Sequence, residues 1–378
     1  MIKKLALFIA LLCASAMVFA QVTVTFKINT MPVFKTSAKN IYMAGNFNNW
    51  NPADNAWQMQ SDNGIYQLVK SLPAGNYDFK VTKGSWQTGE CGAAGGYMDN
   101  RSLHLVHDTT ILITIADWQD NYPVAEKKHT ASVNVHIISE KFDMPQLNRQ
   151  RRVWIYLPSD YATNNKKYPV IYMHDGQNLF DAFTSGFGEW GVDELMDKMP
   201  ANKQCIIVGI DHGGDNRFME YNPYDSKYGK GRGDDYVDFL AKTLKPYIDA
   251  HYHTLKDARH TTIAGSSMGG LISMYAVLKY PGVFGNGGIF SPAFWIAPPM
   301  FDYALKQKVS NRSRFYFVCG DSEDDTMVTN MQKMANTMLA KGINKLNAPV
   351  VVIKGAKHNE LQWNGDFPAF YNWLISGY

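Results

Sequence analysis

Gly265-Ser266-Ser267-Met268-Gly269 stands between an apolar run, Thr261 to Ala264, and a helical pattern that begins at Met268. A serine on a sharp strand-to-helix turn, with a glycine two residues to either side to relieve crowding, is held outward as a nucleophile. The five-residue pattern alone recurs by chance, and its place between strand and helix gives it weight. The hydroxyl needs a base, and in this context the chain order is serine, acid, histidine. Of the ten histidines only His358 follows Ser267, and it comes just after the apolar run Pro349 to Ile353. The carboxylates between them are Asp302, Asp321, Glu323, Asp324 and Asp325, four of which follow the run Arg314 to Cys319. Asp321, Glu323 and Asp324 are each placed to orient the imidazole through Nδ1. Two backbone donors must face the oxyanion that forms when a carbonyl is attacked. One is the N–H of Met268. The other is assigned to Gln177, in the loop His174-Asp175-Gly176-Gln177-Asn178 after the run Val170 to Met173. His174 precedes the serine and is expected to shape that loop. The chemistry these residues predict is acyl transfer through a covalent serine ester.

These groups meet only if a sheet brings the ends of several strands to one edge. From Ala131 onward, strand-like runs at Arg152 to Leu157, Val170 to Met173, Cys205 to Ile210, Thr261 to Ala264, Gly287 to Ser291, Arg314 to Cys319 and Pro349 to Ile353 are interspersed with helical patterns. The helices are expected at Gly191 to Lys198, Asp234 to Ala250, Met268 to Lys279 and Thr326 to Lys341. Near-continuous Val/Ile runs between helices predict an α/β domain over 131–378, a mainly parallel sheet with helices on both faces. Residues 21–118 read differently, as short alternating strands parted by turns such as Asp62-Asn63-Gly64, which predicts a small all-β sandwich. The polar stretch 119–130, with Pro123 and two adjacent lysines, reads as a linker.

Composition sets the outer bounds. At 378 residues, 46% hydrophobic and 19% charged, the chain is expected to fold as two compact globules. Met-Ile-Lys-Lys, the apolar run Leu5 to Leu12 and the small residues ending at Ala20 make 1–20 a signal peptide, so a secreted or periplasmic protein is expected. A lipid anchor on Cys13 is disfavoured by Leu12, where a small residue would be needed. Without Lys3 and Lys4 the 37 basic residues become 35 against 34 acidic, a balance with no footprint for nucleic acid. No later run is long enough for a membrane span. Cys91, Cys205 and Cys319 are an odd number, and the last two sit in apolar strands, so they are expected as core residues. His251-Tyr252-His253 has no partner ligands for zinc, and no cofactor or metal is expected.

The second region resembles the esterase D and feruloyl esterase-like group of α/β-hydrolases, which includes siderophore esterases. The resemblance rests on Val170 to Gly176, Gly265-Ser266-Ser267-Met268-Gly269-Gly270, Cys319-Gly320-Asp321-Ser322-Glu323 and Gly355-Ala356-Lys357-His358. The related mycolyltransferases use a glutamate after the same strand and a backbone donor after Asp-Gly, which implies Glu323 and Gln177 here. The resemblance implies a serine carboxylic ester hydrolase acting on acylated plant polysaccharide, feruloyl or acetyl, with a siderophore esterase as the alternative. Phe294, Trp295, Trp190, Tyr221 and Tyr224 are candidates for an apolar acyl pocket, and Arg217 for catecholate oxygens unless it pairs with Glu220. The first region resembles glycogen- and starch-binding modules through Ile41 to Pro52, Leu72 to Tyr77, Lys83 to Trp86 and Asn100-Arg101. That likeness implies Trp50 and Trp86 stacking on sugar rings with Asn100 bonding a hydroxyl, although Trp50 reads equally as a core residue. The stretch Glu90 to Tyr97 departs from that pattern. A glycan-binding protein with an inert hydrolase domain is the alternative of another class.

Overall fold

The structure is a computed structural model describing residues 21–34, 40–96, 98–122, 127–226 and 229–378. The expected signal peptide at 1–20, the central part of the expected linker and Tyr97 lie outside the described residues. The chain divides into two compact units between Glu126 and Lys127.

The first unit is all β: β1 (Gln21–Thr30), β2 (Tyr42–Gly45), β3 (Gln60–Asp62), β4 (Ile65–Pro73), β5 (Gly75–Thr82), β6 (Glu90–Cys91), β7 (Arg101–Leu105), β8 (Thr109–Thr114) and β9 (Asp117–Trp118). One sheet runs β3-β4-β1-β8 and another β2-β5-β7, with β6-β9 as a short pair. Alternate residues of β1, namely Val22, Val24, Phe26 and Ile28, are buried, and Phe26 meets Phe79 of β5 edge to face at 5.4 Å. Period-two burial is what closes two half-polar sheets over one core.

The second unit carries β10 (Val135–Met144), β11 (Arg149–Tyr156), β12 (Val170–His174), β13 (Ile206–Ile210), β14 (Thr261–Ser266), β15 (Asn286–Phe290), β16 (Arg314–Gly320) and β17 (Val350–Ile353). Its helices are α1 (Val192–Lys198), α2 (Arg217–Glu220), α3 (Gly233–Phe239), α4 (Lys245–His251), α5 (Met268–Lys279), α6 (Pro299–Lys306), α7 (Met327–Ala340) and α8 (Glu360–Ile375). The sheet order is β10-β11-β13-β12-β14-β15-β16-β17, with β12 to β17 parallel and the two strands before them antiparallel. Val170, Tyr172, Ile206, Val208, Phe315 and Phe317 point to one face, under α3 to α7. Ile171, Met173, Ile207, Tyr316 and Val318 point to the other, under α1 and α8. The inner strands β12 to β16 are therefore buried throughout because both of their faces are covered, whereas the edge strands β10 and β17 are partly exposed.

Helix α8 is absent from the sequence expectation because Gly365 and Pro368 interrupt it. It forms because Trp363, Phe367, Phe370, Tyr371 and Leu374 make one buried stripe and Asn359 caps its start, accepting from Gln362 N at 3.0 Å. Gly288 of β15 lets it approach, since a β-carbon there would stand 2.8 Å from the Phe370 ring. The ends of the expected linker are also ordered. Asn121 and Tyr122 bond Asp117, while Thr130 donates its N–H to Asp181 at 3.1 Å. Cys91, Cys205 and Cys319 are buried and free. No helix among the described residues is long and apolar enough to cross a membrane.

Candidate active site

In a parallel sheet the loops after the strands gather at the carboxyl edge, where ligands bind. Ser267 directly follows β14 and caps α5 with φ 59° and ψ −120°, a strained conformation for a residue with a side chain. Its N–H donates to Phe290 O at 2.9 Å and its carbonyl accepts from Ala293 N at 3.0 Å, so the turn is fastened to the end of β15. The flanking glycines are required by the neighbouring strand: a β-carbon at Gly265 would lie 2.9 Å from His174 Cδ2, and one at Gly269 3.3 Å from His174 Cβ.

His174 is buried beneath that turn and shares Nδ1 with the Tyr236 hydroxyl at 2.9 Å. Burial brings its pKa down to about 3, so the ring stays neutral and serves as packing for the elbow. His358 is the imidazole with a carboxylate partner at this edge, its Nδ1 lying 2.7 Å from Glu323 Oε2. The Glu323 side chain is fully buried, while 35% of the His358 side chain is exposed. Oε1 of Glu323 accepts from Gly320 N at 2.5 Å, Ser291 Oγ at 2.7 Å and Gln362 Nε2 at 3.4 Å. The other two acids do different work. Asp321 accepts from Gly355 N at 2.7 Å, and Asp324 accepts from Thr326 N and Met327 N at the start of α7. Among the described residues the Ser267 hydroxyl has no hydrogen bond, so the link from serine to imidazole is open in this structure. Such links commonly tighten only with substrate bound.

Met268 and Gln177 stand on neighbouring turns after β14 and β12, and neither N–H is hydrogen-bonded among the described residues. Gln177 is held from both ends. Its Oε1 accepts from His212 N at 3.2 Å, and its carbonyl accepts from Thr184 Oγ1 at 2.7 Å. Before it, Asp175 adopts the left-handed conformation at φ 57° and receives Arg217 Nε at 2.7 Å and Nη2 at 2.8 Å. Burial alone would raise the Asp175 carboxyl, but this guanidinium holds it below the usual range. Arg217 thus pairs with Asp175 and not with Glu220. Glu220 is buried between Arg149 and Arg151, Arg151 Nη2 lying 2.8 Å from both its oxygens, which anchors α2 behind the loop. Glu360, next but one to His358, is pushed up mainly by burial, with Asp175 adding to the rise.

The expected acyl-pocket residues divide. Phe294 is 0% exposed and packs on Phe301, so it belongs to the core: its turn directs the ring inward, below the rim. Trp190 and Tyr221 are likewise buried, and Tyr224 is half-buried. Trp295 is 49% exposed and remains available. Ser291 and Gln362 went unnoticed in the sequence. Ser291 had a usable signal, since it follows β15 as Ser267 follows β14, at the same edge.

In the first unit Trp86 is 43% exposed and its ring centroid lies 6.3 Å from that of half-buried Trp50. The loop bearing Trp50 is held by its N–H to Gly45 O at 2.8 Å and by Thr82 Oγ1 to Pro52 O at 2.6 Å. Asn100 is exposed and directly precedes β7, whose Arg101 pairs with Phe79 of β5.

Residues 144–374 match the family described as "Putative esterase", and residues 38–122 match the pullulanase X25 domain. The chain is 25% identical over 243 residues to the uncharacterized protein YbbA of Bacillus subtilis, covering 59% of this chain and 92% of that one. It is 26% identical over 216 residues to an endo-1,4-beta-xylanase/feruloyl esterase of Xylanibacter ruminicola, 55% of this chain but 27% of that relative. Among solved structures, the enterobactin esterase of Shigella flexneri superposes with a TM-score of 0.51 at 16% identity, over 94% of this chain and 92% of that one. That likeness is one of fold, an α/β-hydrolase unit with a β-rich domain.

Proposed function

The chain belongs to the esterase family and is a carboxylic ester hydrolase, and from that premise we propose that Ser267, His358 and Glu323 act together on an acylated plant polysaccharide. The observation that carries the catalytic part is the 2.7 Å contact of His358 Nδ1 with a fully buried carboxylate at the edge where the strained Ser267 turn stands. Glu323 keeps the proton on Nδ1, which leaves Nε2 free to take the Ser267 proton as Oγ attacks the ester carbonyl. The carbonyl oxygen becomes an oxyanion between the N–H groups of Met268 and Gln177. On collapse the C–O bond breaks, His358 returns its proton to the leaving alkoxide and the acyl group stays on Oγ. Water then gives its proton to Nε2 and attacks the acyl-serine, releasing the acid and regenerating the hydroxyl.

An aromatic acyl group suits the rim. The segments after the strands expose Phe187, Phe218 of α2, Trp295 and Leu361 of α8, each at least 42% accessible. Apolar side chains left in water around a site favour an apolar substrate part. The relative named endo-1,4-beta-xylanase/feruloyl esterase favours the same class. A catecholate substrate is less well served, because Arg217 already spends Nε and Nη2 on Asp175. Comparing kcat/KM on methyl ferulate and on ferric enterobactin separates the two readings. Preference for the ferulate ester by tenfold or so supports the polysaccharide reading, and the reverse order replaces it.

The tilted pair of exposed Trp86 and half-buried Trp50 supports glycan binding by the first unit. A stacked aromatic contributes roughly 1 kcal/mol beyond simple burial, so Trp86→Ala is expected to weaken polysaccharide retention in affinity electrophoresis severalfold. Unchanged mobility would remove this unit from glycan recognition.

A further inference from the structure

Where the chain enters the second unit, carboxylates hold it down. Asp181 meets His129 Nδ1 at 2.7 Å and Thr130 N, while Asp197 accepts from Ser132 Oγ at 2.5 Å and Asn134 Nδ2 at 2.8 Å. Each of these has donors enough to explain it. Three further acids beside them do not. The ligand atoms of Glu189, Asp193 and Glu194 all lie within 4.8 Å of one another. Asp193 is 0% exposed; one oxygen accepts from Ser132 N at 2.7 Å, and Oδ1 is buried with no N–H or hydroxyl donor among the described residues, the side chain lying against the Glu194 carboxyl instead. Glu194 Oε2 is also buried without such a donor. Glu189 accepts only the Thr130 hydroxyl, at 2.9 and 3.0 Å. Among the described residues no Lys or Arg forms an ion pair with any of the three.

Carboxylates in the first turn of a helix ordinarily complement its dipole from the solvent side. That accounts for an exposed acid but not for a carboxylate oxygen removed from water and set against another carboxyl. Such an oxygen loses its hydration without compensation, and gathered negative charges add mutual repulsion. An oxygen-seeking cation relieves both.

We propose that Glu189, Asp193 and Glu194 bind a divalent cation of the calcium class. Ca²⁺ accepts about 6–8 oxygens in flexible geometry, with carboxylates binding through one or both oxygens and water filling the remainder. Mg²⁺ demands a near-ideal octahedron and gives up water reluctantly, and softer ions favour nitrogen and sulfur, which this donor set lacks. The ion would join the entering segment, through Ser132 on Asp193 and Thr130 on Glu189, to the start of α1 and the loop that follows Gln177. Its role is structural, and it is independent of which ester the enzyme cleaves.

The test is thermal unfolding of the purified full chain after EDTA treatment and dialysis. Adding CaCl2 is expected to raise the midpoint by about 5 °C at roughly a hundredfold excess over Kd, with MgCl2 giving less. Glu194→Gln removes one of the crowded charges, so its EDTA-treated midpoint should equal or exceed that of the unsubstituted protein, with the response to Ca²⁺ lost. Isothermal titration of CaCl2 into the unsubstituted protein should give one ion per chain, a readout independent of how any variant folds. No heat and no midpoint shift overturn the proposal, as does an equal Ca²⁺ response in Glu194→Gln. A protein indifferent to Ca²⁺ yet stabilised by Glu194→Gln would mean that Asp193 and Glu194 share a proton, which also overturns it.

Discussion

Ser267→Ala is expected to lower kcat on p-nitrophenyl acetate by about 10⁴-fold or more while leaving unfolding nearly unchanged. The hydroxyl makes no hydrogen bond among the described residues, so its removal strands no partner. Alanine meets the same backbone strain at φ 59° that serine does, and the ties to Phe290 and Ala293 run through the main chain. A loss of activity without a loss of stability therefore isolates the nucleophile. Retained hydrolysis in a folded Ser267→Ala protein would end the covalent mechanism.

Glu323→Gln should be nearly as damaging, about 10⁴-fold in kcat, for a different reason. The amide oxygen can keep the donors now on Oε1, from Gly320 N, Ser291 Oγ and Gln362 Nε2, so the side chain stays in place. Its NH₂ then faces His358 Nδ1 and forces the proton onto Nε2, where it blocks acceptance of the serine proton. Asp321→Asn and Asp324→Asn should leave kcat within a few fold, since those acids tie a loop and cap a helix. Rates measured side by side decide it: full activity in Glu323→Gln with loss in Asp321→Asn would move the role to Asp321.

What could be read in the sequence was whatever depends on chain order and period. The strand before Ser267, the helix after it and the lone following histidine are local facts, and α5 runs over Met268–Lys279 as the pattern predicts. The acid stayed open at that level because Asp321, Glu323 and Asp324 share one turn, and only the fold shows which carboxylate points under the rim. Phe294 and Arg217 show the same limit. An aromatic beside an exposed one, or an arginine three residues from a glutamate, gives no sign of which way its turn will direct it. Helix α8 hides because its two breakers outweigh its stripe locally, whereas burial against Phe290 and Tyr316 decides the matter in the folded state. Ser291, between Trp363 Nε1 and Glu323, is a purely tertiary acquisition.

Asp175, Ser267 and Ser291 each follow a strand of the central sheet, and all three have positive φ, at 57°, 59° and 42°. Residues in such conformations cost of order 1–3 kcal/mol each, a sum comparable with the whole margin of about 5–15 kcal/mol that keeps a domain folded. The reactive margin is thus the part of this enzyme where hardiness and turnover compete. On the proposed mechanism, heat tolerance gained by relaxing those corners would come at the expense of the Ser267 hydroxyl, the carboxylate clamp and the amide cradle, so durable versions of this catalyst must draw their added robustness from the sandwich, the outer helices and the far side of the sheet.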